Sequence, residues 1–141
     1  MNKVAIIYWS NGGNVEVLAN SILEGINDEN AEVKIKYVSD ATIEDVIESD
    51  TIAFGSPSMN NNGIEQTEME PFIDKLKSLP NNNKKLVLFG SFGWGDGKFM
   101  SDWIQRMKDY GFNVIGHIAV KDTPSNDELE KAKELGRLLT K

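Results

Sequence analysis

Five short apolar runs, each followed by an amphipathic stretch, divide this chain from end to end, and that alternation constrains the fold more than any single residue. The runs are Lys3–Tyr8, Val33–Val38, Thr51–Gly55, Lys85–Gly90 and Phe112–Val120. Most read as strands buried on both faces. Val33–Val38 begins with strict alternation, as a half-buried edge strand does. Between them lie helical patterns. Val15, Leu18, Ala19, Ile22 and Ile26 fall on one face of a helix from Asn14 to about Ile26. Ile43 to Ile47 reads as a short helix with Thr42 and Asp45 as its capping pair. Thr67 and Glu70 have capping-box spacing ahead of Phe72, Ile73, Leu76 and Leu79, with Pro71 in the first turn. Phe99, Met100, Trp103, Ile104, Met107 and Tyr110 mark a fourth helix, ended by Gly111. Ser125 and Glu128 open a fifth through Leu129, Ala132, Leu135, Leu138 and Leu139. Strict strand–helix alternation predicts an α/β chain, a three-layer α/β/α sandwich on a five-stranded parallel sheet with right-handed crossovers. The 141 residues are expected to form one domain, 1–141.

Charge and composition exclude whole classes of function. The chain carries 22 acidic and 15 basic side chains, a formal net charge of −7. Neutralising nucleic-acid phosphates or an anionic membrane surface needs the opposite sign. Basic partner proteins suit such a surface, since opposite fields steer association. With no cysteine and a single histidine, His117, there is no thiolate chemistry, iron–sulfur cluster or multi-histidine metal site. No apolar run approaches the roughly 20 residues of a membrane span. Val4–Ile7 is too short for a signal-peptide core, so a cytoplasmic protein is expected.

In doubly wound sheets, ligands sit beyond the carboxyl ends of the strands where the strand order reverses. Three loops therefore matter. Ser10-Asn11-Gly12-Gly13-Asn14-Val15 joins the first strand to the first helix, and its glycines let backbone amides approach an anion at a helix N-terminus. It lacks the length and the Lys-Ser/Thr pair of a Walker loop. Ser56-Pro57-Ser58-Met59-Asn60-Asn61-Asn62-Gly63 follows the third strand. Met59 is the apolar residue in that polar loop; it either covers a flat apolar ligand or tucks into the core. Gly90-Ser91-Phe92-Gly93-Trp94-Gly95-Asp96-Gly97 follows the fourth strand. Trp94 among four glycines suits an exposed stacking plate for an aromatic ligand, the alternative being an indole folded back on a neighbouring helix.

Ile7-Tyr8-Trp9-Ser10, Glu68-Met69-Glu70-Pro71-Phe72 and Phe89-Gly90-Ser91-Phe92-Gly93-Trp94-Gly95-Asp96-Gly97-Lys98 resemble the flavodoxins, specifically the short-chain form of anaerobic bacteria, and the resemblance runs essentially end to end. It implies strand order 2-1-3-4-5 and a monomeric, FMN-binding, low-potential electron carrier. Such a carrier shuttles single electrons between a reductase and acceptor enzymes, with no substrate turnover of its own. By the same resemblance Ser10, Asn11, Gly12, Gly13, Asn14 and Val15 hold the FMN phosphate. Ser58, Met59, Asn60 and Asn61 face the inner side of the flavin. Trp94 stacks on the outer side, flanked by Ser91 and Phe92, with the amides of Gly93, Gly95 and Asp96 near the pyrimidine end.

Departures from the family pattern are specific. Gly12 and Val15 stand where the phosphate loop usually carries hydroxyls, and Asn60 and Asn61 stand where this subgroup carries Gly-Asp. They motivate a second reading: a flavodoxin-like domain that binds FMN weakly or not at all and acts through protein contacts. A flavin-dependent reductase ranks last, because the chain offers no nicotinamide site or acid–base pair. A phosphorylation receiver fails, since Tyr8-Trp9-Ser10 and Gly55-Ser56 replace its acidic residues. The remaining singular residues read as non-functional: His117 in the last strand as structural or solvent-facing, Trp103 and Met107 as core, and Trp9 as packing beside the first loop. Glu65, Glu68 and Glu70 read as a solvated face, which the resemblance sets at the border of the docking surface.

Overall fold

The computed structural model describes residues 2–26, 29–59 and 63–141. Five strands, β1 (Asn2–Tyr8), β2 (Ala31–Tyr37), β3 (Thr51–Pro57), β4 (Lys85–Phe92) and β5 (Asn113–Lys121), form one sheet in the order β2-β1-β3-β4-β5. Every neighbouring pair is parallel. Five α-helices alternate with the strands: α1 (Asn14–Gly25), α2 (Ile43–Glu48), α3 (Met69–Lys75), α4 (Lys98–Asp109) and α5 (Asn126–Leu139). Single 3₁₀ turns follow β2 and α3, at Val38–Asp40 and Leu76–Ser78.

Strand burial follows position. In central β3, Thr51 to Ser56 are all buried, whereas the outer strands β2 and β5 are only partly covered. The pleat splits β1 between two cores. Val4, Ile6 and Tyr8 pack with Val15, Leu18, Ile22, Ala132 and Leu139 of α1 and α5. Ala5 and Ile7 face the other way, onto a cluster including Val46, Met69, Ile73, Met100, Trp103 and Met107 from α2, α3 and α4. Trp103 and Met107 are thus core, as their spacing implies. One irregularity interrupts the outer ladder: Leu86 pairs with Val114 and Val87 with Gly116, so Ile115 bulges out of β5.

Two of the three expected helix starts are as read. Ser125 and Glu128 exchange reciprocal bonds, Ser125 N to Glu128 Oε1 at 2.9 Å and Glu128 N to Ser125 Oγ at 3.2 Å. Thr42 N donates to Asp45 Oδ2 at 2.9 Å, and Lys36 Nζ lies 3.1 Å from the same oxygen. The Thr67–Glu70 box does not form: α3 starts at Met69, and its first amides bond to Glu65 instead. β4 also runs past its expected end at Gly90 to Phe92, because Pro57 and Lys121 of the flanking strands extend to meet Ser91 and Phe92.

The α1–α5 layer rests on backbone contact. A methyl group built at Gly136 comes 2.0 Å from Ile22 O, and one built at Gly25 comes 1.9 Å from Lys133 O. Neither neighbour can rotate away, since each is backbone inside a helix. Gly136→Ala should therefore separate the helices and cost about 1–3 kcal/mol of stability as overpacking. Urea unfolding is the check: a lower midpoint at unchanged slope is expected, and an unchanged midpoint contradicts the close contact.

Candidate functional site

Hydrogen bonds between strand ends draw three loops together. Trp9 N donates to Gly55 O at 3.0 Å, Ser58 N to Ser91 O at 2.7 Å, and Asp122 N to Phe92 O at 2.8 Å. The loops after β1, β3 and β4 are thereby stitched side by side at the carboxyl edge, with the order reversal between β1 and β3.

The first loop, residues 10–15, is a cradle of amides. Gly12 and Gly13 adopt φ of 91° and 96°, and a methyl built on either meets nothing within 4 Å. The loop ends at the N-terminus of α1, whose first amides have no intrahelical partner and face outward from the helix end. The amides of residues 11 to 15 donate to no partner among the described residues, and Gly13 caps α1 without a side-chain bond. Ser10 Oγ accepts from Glu16 N at 3.3 Å, bracing the loop. Val15 is buried in the α1–α5 core and presents only its amide. The absent hydroxyl at Gly12 has a conformational reason, because threonine is disfavoured at φ near +90°.

In the second loop Ser58 is half-buried and Met59 is 37% exposed, so Met59 is not tucked into the core. Met59 N donates to Gly63 O at 2.8 Å, closing the loop base. Asn60 and Asn61 lie outside the described residues. In the third loop Trp94 is 80% exposed, so its indole is not folded onto a neighbouring helix. Gly93, Gly95 and Asp96 are exposed around it, and Asp96 Oδ1 accepts from Lys98 N at 3.2 Å. Ser91 and Phe92 belong to β4; Ser91 is buried and Phe92 packs beside Phe99 at 6.4 Å.

The acidic trio is not a solvated face. Glu65 is 2% exposed, and its carboxylate accepts from Thr67 N at 2.7 Å, Glu68 N at 2.8 Å, Met69 N at 2.9 Å and the Thr67 hydroxyl. Burial alone pushes this carboxyl up, but those donors outweigh it and hold Glu65 below the usual carboxylate range. Its own amide donates to Ser56 Oγ at 2.9 Å, tying the group to β3. Glu68 accepts from Trp9 Nε1 at 3.0 Å, and Glu70 takes a two-pronged bond from Arg106. The donors to the Glu65 carboxylate are near neighbours, but Ser56, Trp9 and Arg106 are not legible from spacing, because they lie farther away in sequence on other elements.

The sequence profile of the flavodoxins matches residues 6–136. The chain belongs to the flavodoxin family. It is 38% identical over 138 residues to the flavodoxin of Megasphaera elsdenii, covering 98% of each chain. It is 36% identical over 132 residues to the flavodoxin of Clostridium beijerinckii, covering 94% of this chain and 95% of that one. The solution structure of the two-electron reduced Megasphaera elsdenii flavodoxin superposes with a TM-score of 0.83 at 38% identity, over 96% of this chain and 97% of that one.

The flavodoxin reading makes the protein an FMN-binding electron carrier rather than an enzyme, and nothing in these likenesses favours the weak-binding alternative. The residues present fit the group: amides at a helix N-terminus with no partner among the described residues suit a phosphate, and an exposed indole on the same edge of the sheet suits a flat ring. Flavodoxins work with redox partners, and among the described residues no helix is long and apolar enough to cross a membrane.

Glu65 makes the site's support sensitive to acid. Its folded value lies below its unfolded one, so its stabilisation is full above the unfolded value and fades as pH falls through the folded value. Glu65→Gln should cost about 1–3 kcal/mol at neutral pH, since an amide leaves some of those donors unmatched. The gap to wild type should narrow below the ordinary carboxylate range, where wild type protonates too. Urea unfolding at neutral and acid pH measures both; a pH-independent gap contradicts the assignment.

Proposed function

We propose that FMN is held across the carboxyl ends of β1, β3 and β4, within a single working domain of residues 1–141. Ser10, Asn11, Gly12, Gly13, Asn14 and Val15 take the phosphate, chiefly through amides. Ser58, Met59, Asn60 and Asn61 cover one ring face. Trp94 covers the other, with Ser91, Phe92, Gly93, Gly95 and Asp96 at its edge. The observation that carries this reading is Trp94, a large apolar side chain 80% exposed on the same sheet edge as a loop whose amides have no partner among the described residues. Left without a ligand, such a ring gains nothing from its position; stacked, it buries area and excludes water from one ring face.

The cofactor supplies one-electron chemistry when bound. The protein's contribution is to bind, orient and shield it while leaving an edge open for transfer. Glu16, Asp96 and Asp122 are exposed around the loops. Together with the net charge of −7 they favour docking on basic reductases and acceptors. We further infer a monomer in the cytoplasm, since a carrier must present one face to successive partners.

Titration of the flavin-free protein with FMN tests the placement. Flavin fluorescence should be strongly quenched on binding. Trp94→Ala should weaken FMN by about two- to tenfold and restore part of the emission, as loss of a stacking contact implies. Unchanged affinity and quenching in that variant overturn the placement of Trp94.

A further inference from the structure

We propose that the Trp9 indole and the Glu68 carboxylate brace the first loop to the second, so that Trp9 is a positioning residue that favours phosphorylated over unphosphorylated flavin. This inference rests on the FMN placement above. Trp9 is the residue between β1 and the amide cradle. Its backbone is held by Gly55 O, its half-buried ring lies 6.4 Å from Tyr37, and its Nε1 donates to Glu68 Oε1 at 3.0 Å. The next residue is pinned as well, since the Tyr37 hydroxyl donates to Ser10 O at 3.3 Å.

The other end of the brace is equally fixed. Glu68 N donates to the buried Glu65 carboxylate, which also holds Thr67 and Met69, while Glu65 N is anchored on Ser56. Residues 65–69 are therefore a rigid block. Gly63, two residues before it, accepts from Met59 N at 2.8 Å, so the flavin-facing loop closes onto that block. A charge-assisted bond in a partly buried setting thus joins the residue just before the first loop to the block that follows the second.

A ligand that touches one loop gains nothing from the other being ordered. A ligand that touches both meets the second loop already in place once the first is engaged. The brace therefore favours FMN, which has a phosphate, over riboflavin, which has none. By linkage, inorganic phosphate on the first loop should tighten riboflavin on the others, and riboflavin should tighten phosphate by the same factor.

The experiment titrates the full-length chain, freed of flavin, with FMN, with riboflavin, and with riboflavin in saturating inorganic phosphate. Trp9→Phe and Glu68→Ala should each lower the FMN-to-riboflavin affinity ratio by about tenfold and abolish the phosphate enhancement. Glu68→Gln retains an acceptor oxygen and should stay within about threefold of wild type, which separates the bond from the charge. The double variant Trp9→Phe with Glu68→Ala should be no worse than either single change. Equal losses for both flavins would reduce Trp9 to packing, and an unchanged ratio would remove the brace. A wild-type chain that binds no FMN overturns the proposed site itself, a result distinct from FMN binding with an unbraced ratio.

Discussion

Parallel strands cannot be joined by tight turns, and everything functional here follows from that restriction. Each strand must return across a face of the sheet before the next begins, so α1 and α5 cover one face and α2, α3 and α4 the other. All five strand C-termini then lie on one edge. Because β3 crosses to the far side of β1, the loops after those two strands diverge at the reversal and leave room between them. The binding edge is the residue of a connectivity rule, and the hydrogen bonds between successive strand ends turn it into a fixed platform.

Two buried carboxylates do the fine positioning in this acidic chain. Asp45 is 5% exposed; burial pushes its carboxyl up, but the Thr42 amide and Lys36 outweigh it and hold Asp45 below the usual range. Glu65 reaches the same state with no cation, through backbone and hydroxyl donors alone. Each satisfies orphan amides at a helix start, where the helix dipole also favours a negative charge. The difference in partners suits the two locations. Asp45 sits behind the edge strand β2, where lysines are at hand, whereas Glu65 supports the segment that follows β3 at the carboxyl edge of the sheet. There the start of α3 supplies the donors without a cation.

The pattern of residues determined the alternating elements, the parallel α/β class, the two caps formed by neighbours three apart, and the glycine-rich loops with Trp94 between them. Those signals are local: periodicity, capping spacing and backbone freedom are all properties of a few consecutive residues. The Thr67–Glu70 pair had the right spacing and still did not cap α3, because Glu65, two residues earlier, reaches the same amides from a loop with no helical register. Only the tertiary structure decided that Glu65 is buried, that Glu68 holds Trp9, that Glu70 holds Arg106, and that Gly25 and Gly136 let two helices touch backbone to backbone. The last three pair groups that the fold brings together across long stretches of chain, whereas Glu65 takes its donors from the next few residues and owes to the fold only its burial and its tie to Ser56.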